Sequence, residues 1–305
     1  NVKLNGIVFH PTENSVSEER MFRVGQLHYT GSVPLGKIPV YQEMADTPYR
    51  QAPYIGTYYY LINTLQAPTD NLKVRQALSM AIDRESLNRN VLKGTNIPAY
   101  SITPPDTLGY FPPKLFSHDV ARARELLAEA GYPNGEGWPG LELTYNTSED
   151  HRKVAVALQQ MWKDALNIDV TLTNQEWKVY LDSITQMNFQ IARRGWIGDY
   201  VDPNSFLDLF ITGGGNNNTG FADPRYDDLV LRQAPQAATD EARLAIFQQA
   251  ETLLMEQMPI IPLYTYTSKH LVHPSVSGMP PNLMDSANFK YVSLDQDWRP
   301  AGAGH

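Results

Sequence analysis

Segment 193–203 contains the residues of this chain that are best suited to binding chemistry. It reads Arg-Arg-Gly-Trp-Ile-Gly-Asp-Tyr-Val-Asp-Pro and places a glycine, aromatic side chains and a carboxylate beside the end of a predicted strand. Gly195 allows another backbone to approach because it has no Cβ atom, and the edge from Gly195 through Ile197 can hydrogen-bond to an extended main chain. The Asp199 carboxylate can pair with an ammonium group, with Trp196 shielding that pair from water.

Ordinary structural roles compete with these interpretations. An aspartate that follows a glycine is typical of a turn, and on its own this is the better explanation of Asp199. Trp196 is equally well explained as a core aromatic residue, and Gly195 as a β-bulge. The residue types alone therefore leave both interpretations open.

Arg193 and His151 could together receive a carboxylate, since guanidinium and imidazole groups both donate hydrogen bonds to anions. A salt bridge between elements explains Arg193 equally well. His151 follows Ser148 on the predicted first turn of a helix, where a solvated side chain is the simpler explanation. The tyrosines at 58–60 indicate packing within a sheet.

Composition narrows the class of protein. The chain has 305 residues, of which 42% are hydrophobic and 19% charged, which is typical of a globular protein and suggests about two domains. The net charge of −8 argues against binding to nucleic acid, which requires a basic surface. The absence of cysteine excludes disulfides, thiol catalysis and cysteine-based zinc sites.

No catalytic or cofactor motif is present. The acidic residues before His151 are not part of an HExxH motif, and no Gly-x-Ser-x-Gly turn occurs. Segment 213–215 is Gly-Gly-Gly but lacks the lysine of a phosphate-binding loop. We therefore predict no enzyme activity, no cofactor and no metal site.

Strands and helices alternate along the chain, which indicates an α/β layer architecture. We predict strands over 2–9, 27–30, 54–63, 141–145, 169–173, 189–193 and 260–266. We predict helices over 15–24, 71–89, 148–166, 176–186, 224–232 and 239–257, one capped by Ser117 that stops at Gly131, and one that starts at Asp202-Pro203. The expected domains are a complete α/β lobe over 54–266 and a partial lobe from 1–53 and 267–305, with a hinge where the chain crosses near Tyr54 and Tyr266.

Segments 174–178 (Asn-Gln-Glu-Trp-Lys) and 193–203 together resemble the periplasmic oligopeptide-binding proteins of ABC importers, the family 5 extracellular solute-binding proteins. The resemblance implies a periplasmic-binding-protein-like fold (type II, cluster C) with two α/β lobes. It covers the C-terminal portion of the family's usual chain, so about 220 N-terminal residues of that pattern are absent. The first residues are typical of a strand and not of a signal peptide, so we expect a chain that lost its leader or begins in mid-protein.

The resemblance also assigns roles to residues. The Gly-Trp-x-x-Asp-Tyr pattern carries an ammonium-binding aspartate in that family, which is Asp199 here. Arg193 and His151 stand where family members place residues that pair with a peptide carboxylate. The remaining predicted ligand-binding residues are Gly195, Trp196 and Ile197 for the ligand backbone, and Trp177, Tyr54 and Tyr266 for side-chain pockets.

The implied function is the binding of short, extended oligopeptides in the periplasm and their delivery to the membrane permease of an ABC importer. The expected partners are short peptides, the permease subunits and an N-terminal fragment of the protein itself, with no nucleic acid. Two alternatives stay open. One is the same fold with a murein tripeptide or a dipeptide as its cargo, and the other is a peptide-binding module, chaperone-like or sensory, without a role in transport.

Overall fold

The computed structural model describes residues 2–12 and 14–297, which form two compact units. The larger unit is Ile55–Tyr266, and the smaller unit combines Asn1–Tyr54 with Thr267–His305. The strands are β1 (Tyr49–Ile62), β2 (Ile97–Pro98), β3 (Leu141–Asn146), β4 (Val170–Gln175), β5 (Ile191–Ile197), β6 (Ile260–Leu271), β7 (Val276–Ser277) and β8 (Ser293–Leu294).

The helices lie before and between these strands along the chain. They are α1 (Ser15–Arg23), α2 (Ile38–Gln42), α3 (Leu72–Met80), α4 (Arg84–Ser86), α5 (Val120–Glu129), α6 (Glu149–Leu166), α7 (Trp177–Thr185), α8 (Asn204–Leu207), α9 (Pro224–Asp228) and α10 (Asp240–Gln257). Short 3-10 turns occur at Leu35–Lys37, Pro133–Gly135, Asp208–Phe210, Ala234–Gln236 and Phe289–Tyr291, and π-helical turns at Leu87–Val91 and Leu229–Gln233.

One mixed sheet organises the larger unit, with strand order β2-β6-β1-β5-β3-β4. Strand β3 runs parallel to β4 and β5, whereas β1 is antiparallel to β5. Residues 55–62 of β1 are all buried, which explains their aromatic and aliphatic character, because a central strand is covered on both faces. Helix α6 packs on α3 through Trp162, which is fully buried and donates its indole N–H to the Leu78 carbonyl over 2.9 Å.

Side-chain caps set the starts of the two longest helices. The Ser148 hydroxyl accepts from the His151 amide at the start of α6, and the Thr239 hydroxyl accepts from the Ala242 amide at the start of α10. Acidic residues follow each cap in the first turn, where they stabilise the positive end of the helix dipole. The start of α6 therefore lies just beyond the carboxyl end of β3, and the local sequence determines its position.

The smaller unit contains α1, α2 and a two-stranded sheet of β7 and β8. The helix predicted over 15–24 is confirmed as α1, whereas the strands predicted before and after it are wrong. Residues 2–9 form no strand, and 27–30 contributes a single bridge between Tyr29 and Val272. Val2, Val8 and Phe9 have the strand-like pattern but are largely exposed, and a strand needs a partner for its backbone groups.

Several predicted element ends also differ from the structure. The helix predicted over 71–89 ends at Met80, because Asp83 caps the new short helix α4. Asp119, and not Ser117, caps α5 by accepting from the Arg122 amide over 2.9 Å. The segment 224–232 is a short α-helix that continues as a π-helical turn. Strand β1 begins earlier than predicted, and β6 continues to Leu271.

Candidate functional site

A cationic side chain lies at the centre of the candidate site. Arg193, on β5, donates from Nη2 to the Tyr266 hydroxyl over 3.1 Å and from Nη1 to the Asn146 Oδ1 over 3.5 Å. Its guanidinium lies over the Tyr58 ring at 4.6 Å from the ring centroid. Among residues 2–12 and 14–297 no carboxylate pairs with Arg193, and its Nε is buried without a hydrogen-bond partner. A half-buried cation held by neutral groups favours an anionic ligand.

His151 lies beside this cation as a neutral group. It sits in the first turn of α6, with Nδ1 at 3.4 Å from the Tyr58 hydroxyl. Burial, and then the positive charge of Arg193, lower the pKa of His151 to about 3. At neutral pH its imidazole can therefore donate or accept a hydrogen bond to a ligand, but it adds no positive charge.

Gly195 provides space for Tyr266. A Cβ atom at Gly195 would collide with the Tyr266 hydroxyl, and one at Gly56 would lie 2.9 Å from Cδ2 of the same ring. The register of β1 and β5 is regular from Gly56↔Ile197 through Tyr58↔Gly195, so Gly195 is not a β-bulge. The missing side chain allows Tyr266 to reach Arg193.

One edge of β5 is available for another strand. Two backbone hydrogen bonds identify the hydrogen-bonded residue pairs of β1 and β5. The Gly198 amide donates to the Ile55 carbonyl over 2.8 Å, and the Asn63 amide donates to the Gln190 carbonyl over 2.9 Å. By the alternation of antiparallel pairs, the backbone groups of Gly195 and Ile197 point away from β1. On that side β3 pairs with β5 only at Ile191 and Ala192, and no other described strand continues the pairing.

Asp199 follows this edge and carries an unpaired carboxylate. Its amide donates to the Ser205 hydroxyl over 2.8 Å, while its exposed carboxylate has no hydrogen bond or ion pair with the part of the chain that the structure describes. Asp202 differs, because Arg243 binds both of its carboxylate oxygens at 2.7 and 2.8 Å. Asp199 is therefore the carboxylate of this segment that remains available to a cation.

The predicted aromatic residues fall into different environments. Trp177 is 51% exposed and stacks on Tyr180 with 5.9 Å between ring centroids. Trp196 is half-buried, and its indole N–H has no hydrogen-bond partner among the described residues. Tyr266 contacts Arg193 in the larger unit, whereas Tyr54 is the last residue of the first segment of the smaller unit.

Two residues at the site were not predicted from the sequence. Asn146 binds Arg193 and is the last residue of β3, so its place at the carboxyl end of a parallel strand was a usable signal. Tyr58 is buried and stacks on Tyr264 at 4.7 Å, which is the sheet packing that the sequence suggested. It also lies under the Arg193 guanidinium, so it belongs to the site as well.

Comparison with known proteins gives the family. Residues 1–218 match the family model described as bacterial extracellular solute-binding proteins, family 5 middle. The chain belongs to this family. The predicted resemblance is thus confirmed, and family 5 is a family of solute-binding proteins.

Individual family 5 relatives are peptide-binding proteins. The chain is 40% identical over 289 residues to the periplasmic murein peptide-binding protein MppA of Escherichia coli, covering 92% of this chain and 53% of the relative. It is 36% identical to the oligopeptide-binding protein OppA of Bacillus subtilis over 290 residues, which covers 91% of this chain and 53% of the relative. The chain therefore spans about half the length of the curated relatives it matches.

Solved structures show the same fold. The murein tripeptide binding protein MppA of Escherichia coli superposes with a TM-score of 0.85 at 38% identity, over 91% of this chain and 56% of that one. A periplasmic oligopeptide-binding protein of Borrelia burgdorferi gives a TM-score of 0.88 at 34% identity, over 96% and 59%. The predicted α/β fold of periplasmic peptide-binding proteins is confirmed.

Proposed function

We propose that the protein binds short peptides in an extended conformation and delivers them to the membrane permease of an ABC importer, outside the cytoplasm. The observation that carries the proposal is an open strand edge between two unpaired charges of opposite sign. Arg193 lies at the start of this edge, and the Asp199 carboxylate follows its end. A peptide with free termini carries the two complementary charges on an extended backbone.

The length of the edge suits a ligand of a few residues. From Arg193 to Ile197 the strand advances by about 13 Å at roughly 3.3 Å per residue. An extended peptide of three or four residues spans about 10–14 Å. The backbone groups of Gly195 and Ile197 would pair with the main chain of the ligand, so most of the affinity would not depend on its sequence.

The names of the relatives support a peptide cargo and the same compartment. Relatives named as periplasmic bind oligopeptides or murein peptide, and the OppA of Haemophilus influenzae has been solved in complex with the peptide RPPGFSPFR. A murein tripeptide is the second candidate cargo, favoured by the 40% identity to MppA. Competition between a murein tripeptide and a linear tripeptide for the same protein would rank the two.

The test of the ammonium site uses isothermal titration with tri- and tetrapeptides. Asp199→Asn should weaken binding by about 1.5–3 kcal/mol, the scale of a hydrogen bond to a charged group. N-acetylation of the peptide should cause a similar loss in the wild type and little further loss in the variant. Asp106→Asn, which removes the charge of another exposed aspartate, is the matched control. An Asp199→Asn variant with unchanged affinity would refute the role of Asp199.

The test of the carboxylate site compares peptide lengths. Arg193→Ala should weaken some lengths more than others, because Arg193 is fixed on β5 and meets the carboxylate of one length best. C-terminal amidation should remove that difference. An equal loss of affinity for every peptide length would mean that Arg193 supports the sheet and does not bind the peptide carboxylate.

A further inference from the structure

Glu251, on α10, is a fully buried carboxylate that accepts hydrogen bonds from the loop over 101–113. Its Oε1 accepts from the Thr103 amide over 2.8 Å, and its Oε2 accepts from the Tyr110 hydroxyl over 2.6 Å. A second contact from α10 joins the same loop, since the Gln248 side-chain amide donates to the Phe111 carbonyl over 2.7 Å. Two side chains of α10, Glu251 and Gln248, therefore hydrogen-bond to the loop over 101–113, and Glu251 is the ionisable one.

The turn of this loop has an unusual backbone conformation. Asp106 and Leu108 have positive φ angles of 61° and 54°, which cost energy in non-glycine residues. The turn closes with a hydrogen bond from the Asp106 amide to the Tyr110 carbonyl over 2.8 Å, and it leaves Leu108 and Phe111 more than half exposed. Tyr110 thus links the turn directly to the Glu251 carboxylate.

No cation compensates this carboxylate. Among the described residues, no lysine, arginine or histidine forms an ion pair with Glu251. The ionisable groups that face it are the hydroxyls of Tyr110, from the loop, and Tyr226, from α9. Asp208 and Asp227 are the carboxylates whose charge also acts on Tyr226. Burial raises the pKa of Glu251 to about 7, partly opposed by the hydrogen bonds from Thr103 and Tyr110.

The surroundings can accommodate the protonated form. The Thr103 hydroxyl is buried beside the Glu251 carboxyl group, and its interaction lowers the pKa of that group. It can accept the proton of a neutral Glu251, while the other carboxyl oxygen continues to accept from the loop. The closed loop is therefore compatible with a protonated carboxyl group.

We propose that Glu251 is a pH-dependent latch, which holds the loop over 101–113 closed more tightly at acidic than at neutral pH. Opening the loop admits water to the carboxylate and returns its pKa towards the ordinary value of 4.5. The closed state therefore binds more protons than the open state between pH 4.5 and about 7. The free energy that favours the closed loop is largest below that window and decreases as the pH rises through it. Above the window it stays constant.

Amide hydrogen exchange of Thr103, corrected for the intrinsic rate and followed from pH 5 to 8, tests the latch. In the wild type the opening equilibrium should rise by up to about tenfold per pH unit below pH 7 and then level off. Glu251→Gln, which keeps an acceptor and a donor but cannot ionise, should show no such rise. Glu256→Gln, an exposed position on the same helix, should retain the wild-type curve. A flat wild-type curve, or an equal slope in Glu251→Gln, would overturn the proposal.

A second variant keeps the proposal testable if Glu251→Gln does not fold. Tyr110→Phe removes a hydrogen bond that favours the ionised carboxylate. The pH at which the opening equilibrium levels off should then move upward. A levelling point that stays where it is in the wild type would show that Glu251 does not control the loop.

Discussion

Arg193 donates a hydrogen bond to the Tyr266 hydroxyl over 3.1 Å, across the position where Gly195 has no side chain. This contact joins β5 to β6 over the face of β1 and holds the guanidinium with a neutral acceptor. A neutral partner orients the cation without cancelling its charge, so the charge remains available to a ligand. Gly195 is thus part of the geometry of the site, because its missing side chain leaves room for this contact.

Gly195→Ala should therefore disturb both the sheet and the site. The added Cβ atom would collide with the Tyr266 hydroxyl, so the ring must move away from Arg193. We expect a loss of about 1–3 kcal/mol in the free energy of unfolding, as for other overpacked positions. Urea denaturation measures this loss, and peptide titration should show weaker binding in the same variant.

The matched control is Gly215→Ala. Gly215 is exposed, and a Cβ atom there would meet no other atom within 4 Å. Its effect on the free energy of unfolding should stay within about 0.5 kcal/mol, as is usual for surface substitutions. Equal effects at the two glycines would show that the contact between Arg193 and Tyr266 does not depend on Gly195.

The sequence predicted the sheet of the larger unit well, because its elements carry local signals. Strand β5 was predicted over 189–193 and is observed at Ile191–Ile197, and helices α6 and α10 were predicted over 148–166 and 239–257, close to their observed bounds. In the smaller unit the helix predicted over 15–24 is confirmed as α1, whereas the strand predicted over 2–9 is wrong because its alternating residues have no partner strand.

The charge states of the site residues were harder to predict from the sequence than their positions on strands and helices. The sequence indicated His151 as a donor beside Arg193 but could not show that burial lowers its pKa to about 3. It assigned ammonium binding to Asp199 and a helix start to Asp202, three positions apart, but it gave no sign of the partner of Asp202. Only the structure shows that Arg243 binds Asp202, because residue 243 lies on a distant helix.

His151 should make the protein less stable in acid. Its pKa falls from 6.5 to about 3 on folding, so the unfolded chain binds the additional proton between these values. Its contribution to stability is fully present above pH 6.5 and is lost as the pH falls towards 3. Relative to His151→Gln, the wild type should lose up to about 1.4 kcal/mol per pH unit in this window.

Urea denaturation of both proteins at several pH values between 4 and 7 checks this expectation. His118→Gln, the same substitution at an exposed histidine, is the control. Glu251 changes stability in the opposite direction over part of this range, but it does so equally in the wild type and in the variant. Parallel stability curves for wild type and His151→Gln would contradict the burial of a neutral imidazole at this position.

The pair of Asp202 and Arg243 should be a structural support of the segment that carries Asp199. Both side chains are partly buried, at 15% and 26% exposure, and the Asp202 carboxylate also accepts from the Asn204 amide at the start of α8. A double-mutant cycle with Asp202→Ala and Arg243→Ala should give a coupling energy of about 1–3 kcal/mol.

The exposed pair of Lys163 and Asp169, at 46% and 86% exposure, is the control and should give less than about 1 kcal/mol in the same measurement. Similar coupling in both pairs would mean that the bidentate geometry at Asp202 adds nothing, and that Ser205 alone positions Asp199.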